Sequence, residues 1–70
     1  MTWTSSPVQI TRVWANTTNA YVQTTGPNPS AWKRLVPPNQ NMFEVAVDAH
    51  LRGRSVFIDL NGTDVTQIST

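Results

Sequence analysis

The sequence predicts a small α+β domain in which an antiparallel sheet curls toward a partly open β-barrel beside one helix. Runs of alternating apolar and polar residues at Val8–Ala15, Ala20–Thr25, Ser55–Leu60 and Val65–Thr70 have the two-residue period of strands. Turn-forming clusters, Asn16–Asn19 and Asn61-Gly62, join them in pairs, and strands joined by so few residues are antiparallel hairpins. Between the pairs, Asn41–Arg52 carries apolar residues at helical spacing. Hairpins flanking a single helix make an α+β rather than an α/β chain.

Taken in order, residues 1–7 (MTWTSSP) read as a polar arm ending in proline, with Trp3 its only anchor, ahead of a single globular unit over 8–70. In Val8–Ala15, Val8, Ile10 and Trp14 share one parity and Val13 breaks it, which predicts a bulge near Thr11–Arg12 or a strand apolar on both faces. The second strand puts Ala20, Val22 and Thr24 on one face and Tyr21, Gln23 and Thr25 on the other. Gly26–Ser30 (GPNPS) cannot continue a sheet, because its prolines lack ladder donors. Ala31–Val36 reads as a short edge strand with Trp32 half-buried and Lys33 and Arg34 in solvent, stopped by Pro37-Pro38.

Asn39 or Asn41 then caps the helix, Asn41 with Glu44 forming a variant of the capping box, and Gly53 is its left-handed stop. Ser55–Leu60 alternates with Val56, Ile58 and Leu60 inward and Ser55, Phe57 and Asp59 outward. Asn61-Gly62 is the strongest hairpin signal in the chain, and Val65–Thr70 is the last strand. The expected core is Ile10, Val22, Phe43, Ala46, Val56, Ile58 and Ile68. A helix placed between the two halves of such a strand set resembles the OB-fold, a partly open barrel.

The helix is apolar on too many sides. At about 100° per residue, Met42, Phe43, Val45, Ala46, Val47, Ala49, His50 and Leu51 spread around most of the cylinder. Glu44, Asp48 and Arg52 form one narrow polar row. A chain of 70 residues buries only about 60% of its unfolded surface, and such a core supplies roughly 3–5 kcal/mol without a staple. There is no cysteine, one histidine and four carboxylates, which removes disulfides and makes a structural metal a poor candidate. Oligomerisation is the staple left. The expected partner is a second copy of the chain, through Trp3, Val45, His50, Leu51 and Phe57.

Net charge is +1 and 13% of residues are charged, against roughly a quarter in an average soluble protein. That argues against a nucleic-acid binder, which needs clustered positive charge. No apolar run reaches membrane-spanning length, and Met1–Pro7 lacks the regions of a secretory leader, so none is expected. No pattern assigns a compartment.

No motif announces catalysis, and no cofactor is expected. His50 is the only acid–base group near neutral pH, but no neighbouring element offers a partner, and it reads as a buried or interfacial structural histidine. An interfacial histidine would make assembly pH-sensitive. The serines lack a nucleophile elbow, the glycines serve turns and caps, and Asp48, Asp59 and Asp64 are too dispersed for a calcium loop. Asn16-Thr17-Thr18 and Asn61-Gly62-Thr63 match the glycosylation pattern but read as turns. Arg12, Lys33, Arg34, Arg52 and Arg54 are the one basic set, read either as an anion patch around Trp32 or as solvated charge. Tyr21, Trp32 and the other aromatics offer flat faces for a sugar or a partner, although the core should claim Trp14 or Trp32.

The spacing I10-xx-V13, AYVQ, W32-xx-L35, F43-xx-A46-xx-A49-xxx-G53-xx-V56-x-I58 and V65-xx-I68 resembles that of small bacterial OB-like domains which form the ring-shaped receptor-binding subunits of toxins. The resemblance implies a ring and sugar binding. Those subunits usually carry a disulfide, which this chain lacks, and none of their binding residues matches a position here. The function expected is a non-catalytic, homo-oligomeric structural or ligand-binding module. A lectin-like subunit and an OB-like single-stranded nucleic-acid binder are the alternatives.

Overall fold

A computed structural model describes residues 2–70. The elements run β1 (Thr2–Trp3), β2 (Val8–Ala15), β3 (Ala20–Thr24), β4 (Lys33–Leu35), α1 (Gln40–Arg52), β5 (Ser55–Asn61) and β6 (Asp64–Ser69). β2 pairs with β3, β3 with β4 and β5 with β6, all antiparallel, while β4 lies parallel to β6. Two further pairs, Val8↔Val56 and Gln9↔Ser55, join β2 to β5 and bring the sheet back on itself. The result is a curled, partly closed barrel, with α1 inserted between β4 and β5.

The barrel encloses Val8, Ile10, Ala20, Val22, Leu35, Val56, Ile58 and Val65, and α1 closes it with Ala46 and Ala49. Met42, Phe43 and Ile68 pack on this core from its margin. Small residues at 46 and 49 let the helix approach the strands closely. Gly53 ends α1 in the left-handed conformation at φ 65°, and the Arg54 N–H donates to the Ala49 carbonyl. Asn39 is the N-cap residue, but its side chain donates to the Leu35 carbonyl instead of capping. Asn41 falls inside the first turn, so the capping box with Glu44 does not form. Leu51 is left 77% exposed.

Both expected hairpins form, the second with Gly62-Thr63 rather than Asn61-Gly62 at its tip, because Asn61 pairs with Asp64. Asn16 Oδ1 accepts from the N–H groups of Thr18 and Asn19, fixing the β2–β3 turn. Gly62, at φ 65°, takes the first central place of the β5–β6 turn, where a left-handed residue is needed. The bulge falls between Ile10 and Arg12. Beside it, the His50 Nδ1–H donates to the Ile10 carbonyl at 2.8 Å, which ties α1 to the barrel.

Several expectations are corrected. The arm contains strand β1, paired with β5 through Thr2↔Leu60 and Trp3↔Asp59. β4 is no edge strand, because β6 takes its second side. Lys33 is not in solvent but 2% exposed, its inward position set by alternation with Arg34. Asp59 is buried rather than outward, since the β5–β6 register slips between Asp59 and Leu60 and β1 covers this stretch. Its Oδ2 accepts from the Thr66 hydroxyl at 2.8 Å. The bulge reverses parity after Ile10, turning Val13 toward the core and Trp14 away from it.

Candidate ligand-binding groove

That reversal turns Trp14 out, and alternation with the inward Lys33 turns out Trp32, so the core claims neither; they are 47% and 39% exposed. Both stand on the outer face of β2–β3–β4 with Tyr21. Cross-strand register places Trp14 opposite Tyr21, Tyr21 opposite Arg34, and Arg34 opposite Asp64, in one row across the barrel wall. The rings of Trp14 and Tyr21 meet with centroids 5.5 Å apart and planes at 59°, a tilted contact of the favourable kind. Together with Trp32 they line a groove of about 300 Å³. Arg12, two residues before Trp14, lays its guanidinium 5.7 Å from the Trp32 ring centre.

Polar groups frame the groove. Gln23, outward on β3, donates its amide to the Ser30 carbonyl at 2.9 Å and ties down the loop leading to Trp32. Arg34 reaches Asp64 at 3.2 Å. The hydrogen bond and charge of Asp64 raise the Arg34 pKa further above its ordinary value, so this guanidinium stays charged and occupied.

The structure brings together Tyr21, Trp32, Arg12 and Arg34, but it disperses the rest of the basic set. Lys33 points inward, and its burial lowers its pKa from 10.5. Arg52 is held by Asp48 one helical turn away, at 2.7 Å. Arg54 lies exposed in the link between α1 and β5. Trp14 completes the groove although parity had pointed it to the core; the signal that assigns it outward is the parity break at Val13, read as a bulge placed before Trp14.

The proposed self-association residues sit apart from this face. Trp3 and Phe57 are exposed, as is Leu51, while Val45 and His50 are half-buried. Trp3 borders a second hollow of about 460 Å³ between the N-terminal segment and Gly26-Pro27. Among the described residues no cluster of acidic and histidine side chains is placed to hold a metal ion. No helix among them is long and apolar enough to cross a membrane. In comparisons with known proteins the chain matches no family model, no curated protein and no solved structure.

Proposed function

We propose that this protein is a non-catalytic, self-associating binding module that stacks a neutral sugar on the Trp14–Tyr21–Trp32 groove. The observation that carries the reading is the groove itself: three aromatic side chains gathered on one exposed barrel face, next to little free charge. Large aromatic surface left out of such a small core offers stacking area at low entropic cost. Of the five cations grouped around Trp32 in the sequence, Lys33 is buried, Arg34 and Arg52 are engaged by carboxylates and Arg54 lies in the α1–β5 link, which leaves Arg12 as the one beside the indole. That favours a ligand recognised by ring faces and hydroxyls over a polyanion.

Self-association is supported by the exposed apolar side chains of Leu51, Phe57 and Trp3 on other parts of the surface. It would repeat the groove around an assembly and multiply weak single-site affinity. The resemblance to ring-forming receptor-binding subunits points the same way.

A second reading, a single-stranded nucleic-acid binder, is favoured by Arg12 over Trp32, since bases and guanidinium groups share such faces. Titrating tryptophan fluorescence with maltohexaose, chitohexaose and oligothymidine at low and high salt separates the two. Quenching by a hexasaccharide that ignores salt supports the sugar reading. Quenching by oligothymidine alone, lost steeply with salt, transfers the groove to nucleic acid.

A further inference from the structure

We infer that Lys33 is the positioning residue of the groove: its buried ammonium pins the loop that presents Trp32. The inference rests on the reading of the groove as the ligand site. Trp32 precedes the first paired residue of β4, since the β3–β4 register begins at Val22↔Lys33. Its place therefore depends on residues 26–31, a stretch in which Pro27 and Pro29 have no N–H to give. Few bonds hold that stretch, and at its start the buried Thr24 hydroxyl donates to the Gly26 carbonyl at 3.0 Å. The Ala31 N–H donates to the Asn28 carbonyl at 3.0 Å, and Gln23 holds the Ser30 carbonyl from the outer face. From the inner side, Lys33 Nζ donates to the Asn28 carbonyl at 3.0 Å and to the Ala31 carbonyl at 3.4 Å.

Lys33 is an unusual occupant for an inward strand position. It is 2% exposed, and the ion pairs among the described residues join Arg34 to Asp64 and Arg52 to Asp48, leaving it no carboxylate. A buried cation with no counter-charge costs stability, and an apolar side chain would pack there more cheaply. Two carbonyls on the Trp32 loop are what the ammonium gains in exchange. Lys33 and Gln23 thus grip the loop from opposite sides of the wall, and Arg12 covers the indole it carries.

The experiment is Lys33→Met, which keeps the stem and removes the donors, followed by the indole N–H signals of ¹⁵N-labelled protein and by titration with the hexasaccharides. The expected result is a Trp32 signal that shifts and broadens while Trp3 stays in place. Thermal stability should be unchanged or raised, and affinity for a bound hexasaccharide should fall about tenfold, the scale of one lost stacking partner. An unmoved Trp32 signal in folded Lys33→Met overturns the inference. Should that variant fail to fold, the wild-type protein decides: a pinned Lys33 shows a slowly exchanging ammonium signal at neutral pH, and its absence overturns the inference. If no hexasaccharide binds the wild type, the sugar reading fails, and the Trp32 signal still tests Lys33.

Discussion

Arg12 and Trp32 face each other across β3, the guanidinium 5.7 Å from the ring centre. Their contact joins two segments that share no backbone pairing. A cation over an exposed indole is worth about 0.5–1 kcal/mol. Arg12→Ala should therefore lower stability by no more than that and red-shift tryptophan emission as Trp32 gains water. Unchanged emission in Arg12→Ala would show that the contact does not persist in solution.

Binding and stability should separate at the tryptophans. Trp32→Ala removes one wall of the groove and should weaken a stacked ligand by about 1–3 kcal/mol. Because the side chain is exposed, its urea midpoint should stay near wild type. Leu35→Ala, three residues on and fully buried, should instead cost about 2–5 kcal/mol of stability. Equal destabilisation by the two changes would place Trp32 in the core.

Asp59 depends on Thr66. The hydroxyl of half-buried Thr66 donates at 2.8 Å to a carboxylate that is 2% exposed. Thr66→Val removes that donor at nearly constant shape and should cost about 1–3 kcal/mol, measured by denaturant unfolding. Asp59→Asn with Thr66→Val should cost less than the sum of the two single changes.

Lys33 gives stability a dependence on alkaline pH. Its pKa in the folded chain lies below the ordinary 10.5 because burial disfavours the charge. Between those two values the unfolded chain holds a proton that the folded one has released, so raising the pH stabilises the fold there. Below that window the penalty is constant. The stability difference between wild type and Lys33→Met should be flat at neutral pH and move in favour of wild type as the pH rises through the window. A difference that stays flat up to 10.5 would mean that Lys33 is solvated.

Self-association is tested by absolute mass, measured by light scattering over a hundred-fold concentration range. The expected wild type is a multimer, and Leu51→Glu or Phe57→Glu should shift it toward the single-chain mass of 7.8 kDa. A wild-type monomer throughout would leave the groove acting singly and would remove the assembly from the proposed function.

Patterns fixed by local chemistry were legible in the sequence. The strand Val8–Ala15, the helix read as Asn41–Arg52 and found over Gln40–Arg52, and the Asn16 and Gly62 turns follow from parity, the Gly53 stop and turn residues, whereas the N-terminal cap read from Asn41 and Glu44 does not form. Closure was less legible. The parallel β4–β6 contact pairs Arg34 with Asp64, residues joined by nothing in local pattern, and it is this neighbour that makes Lys33 a wall residue. A cation flanked by Trp32 and Arg34 looks solvated until both sides of its strand are known to be paired. The groove was half legible. Tyr21 and Trp32 were marked as stacking surfaces, while Trp14 required knowing that the parity break at Val13 comes from an inserted residue before it. The bulge decided which large ring faced outward.

Closure of the wall depends on Val8↔Val56 and Gln9↔Ser55, residues from nearly opposite ends of the chain. Contacts so distant in sequence cost the most chain entropy to form and arrive late in folding. Until they do, each hairpin offers an unpaired border, and the chain is most open to wrong neighbours, including other copies of itself. The time taken to fasten this short seam is therefore the interval in which crowding during synthesis matters most to this protein.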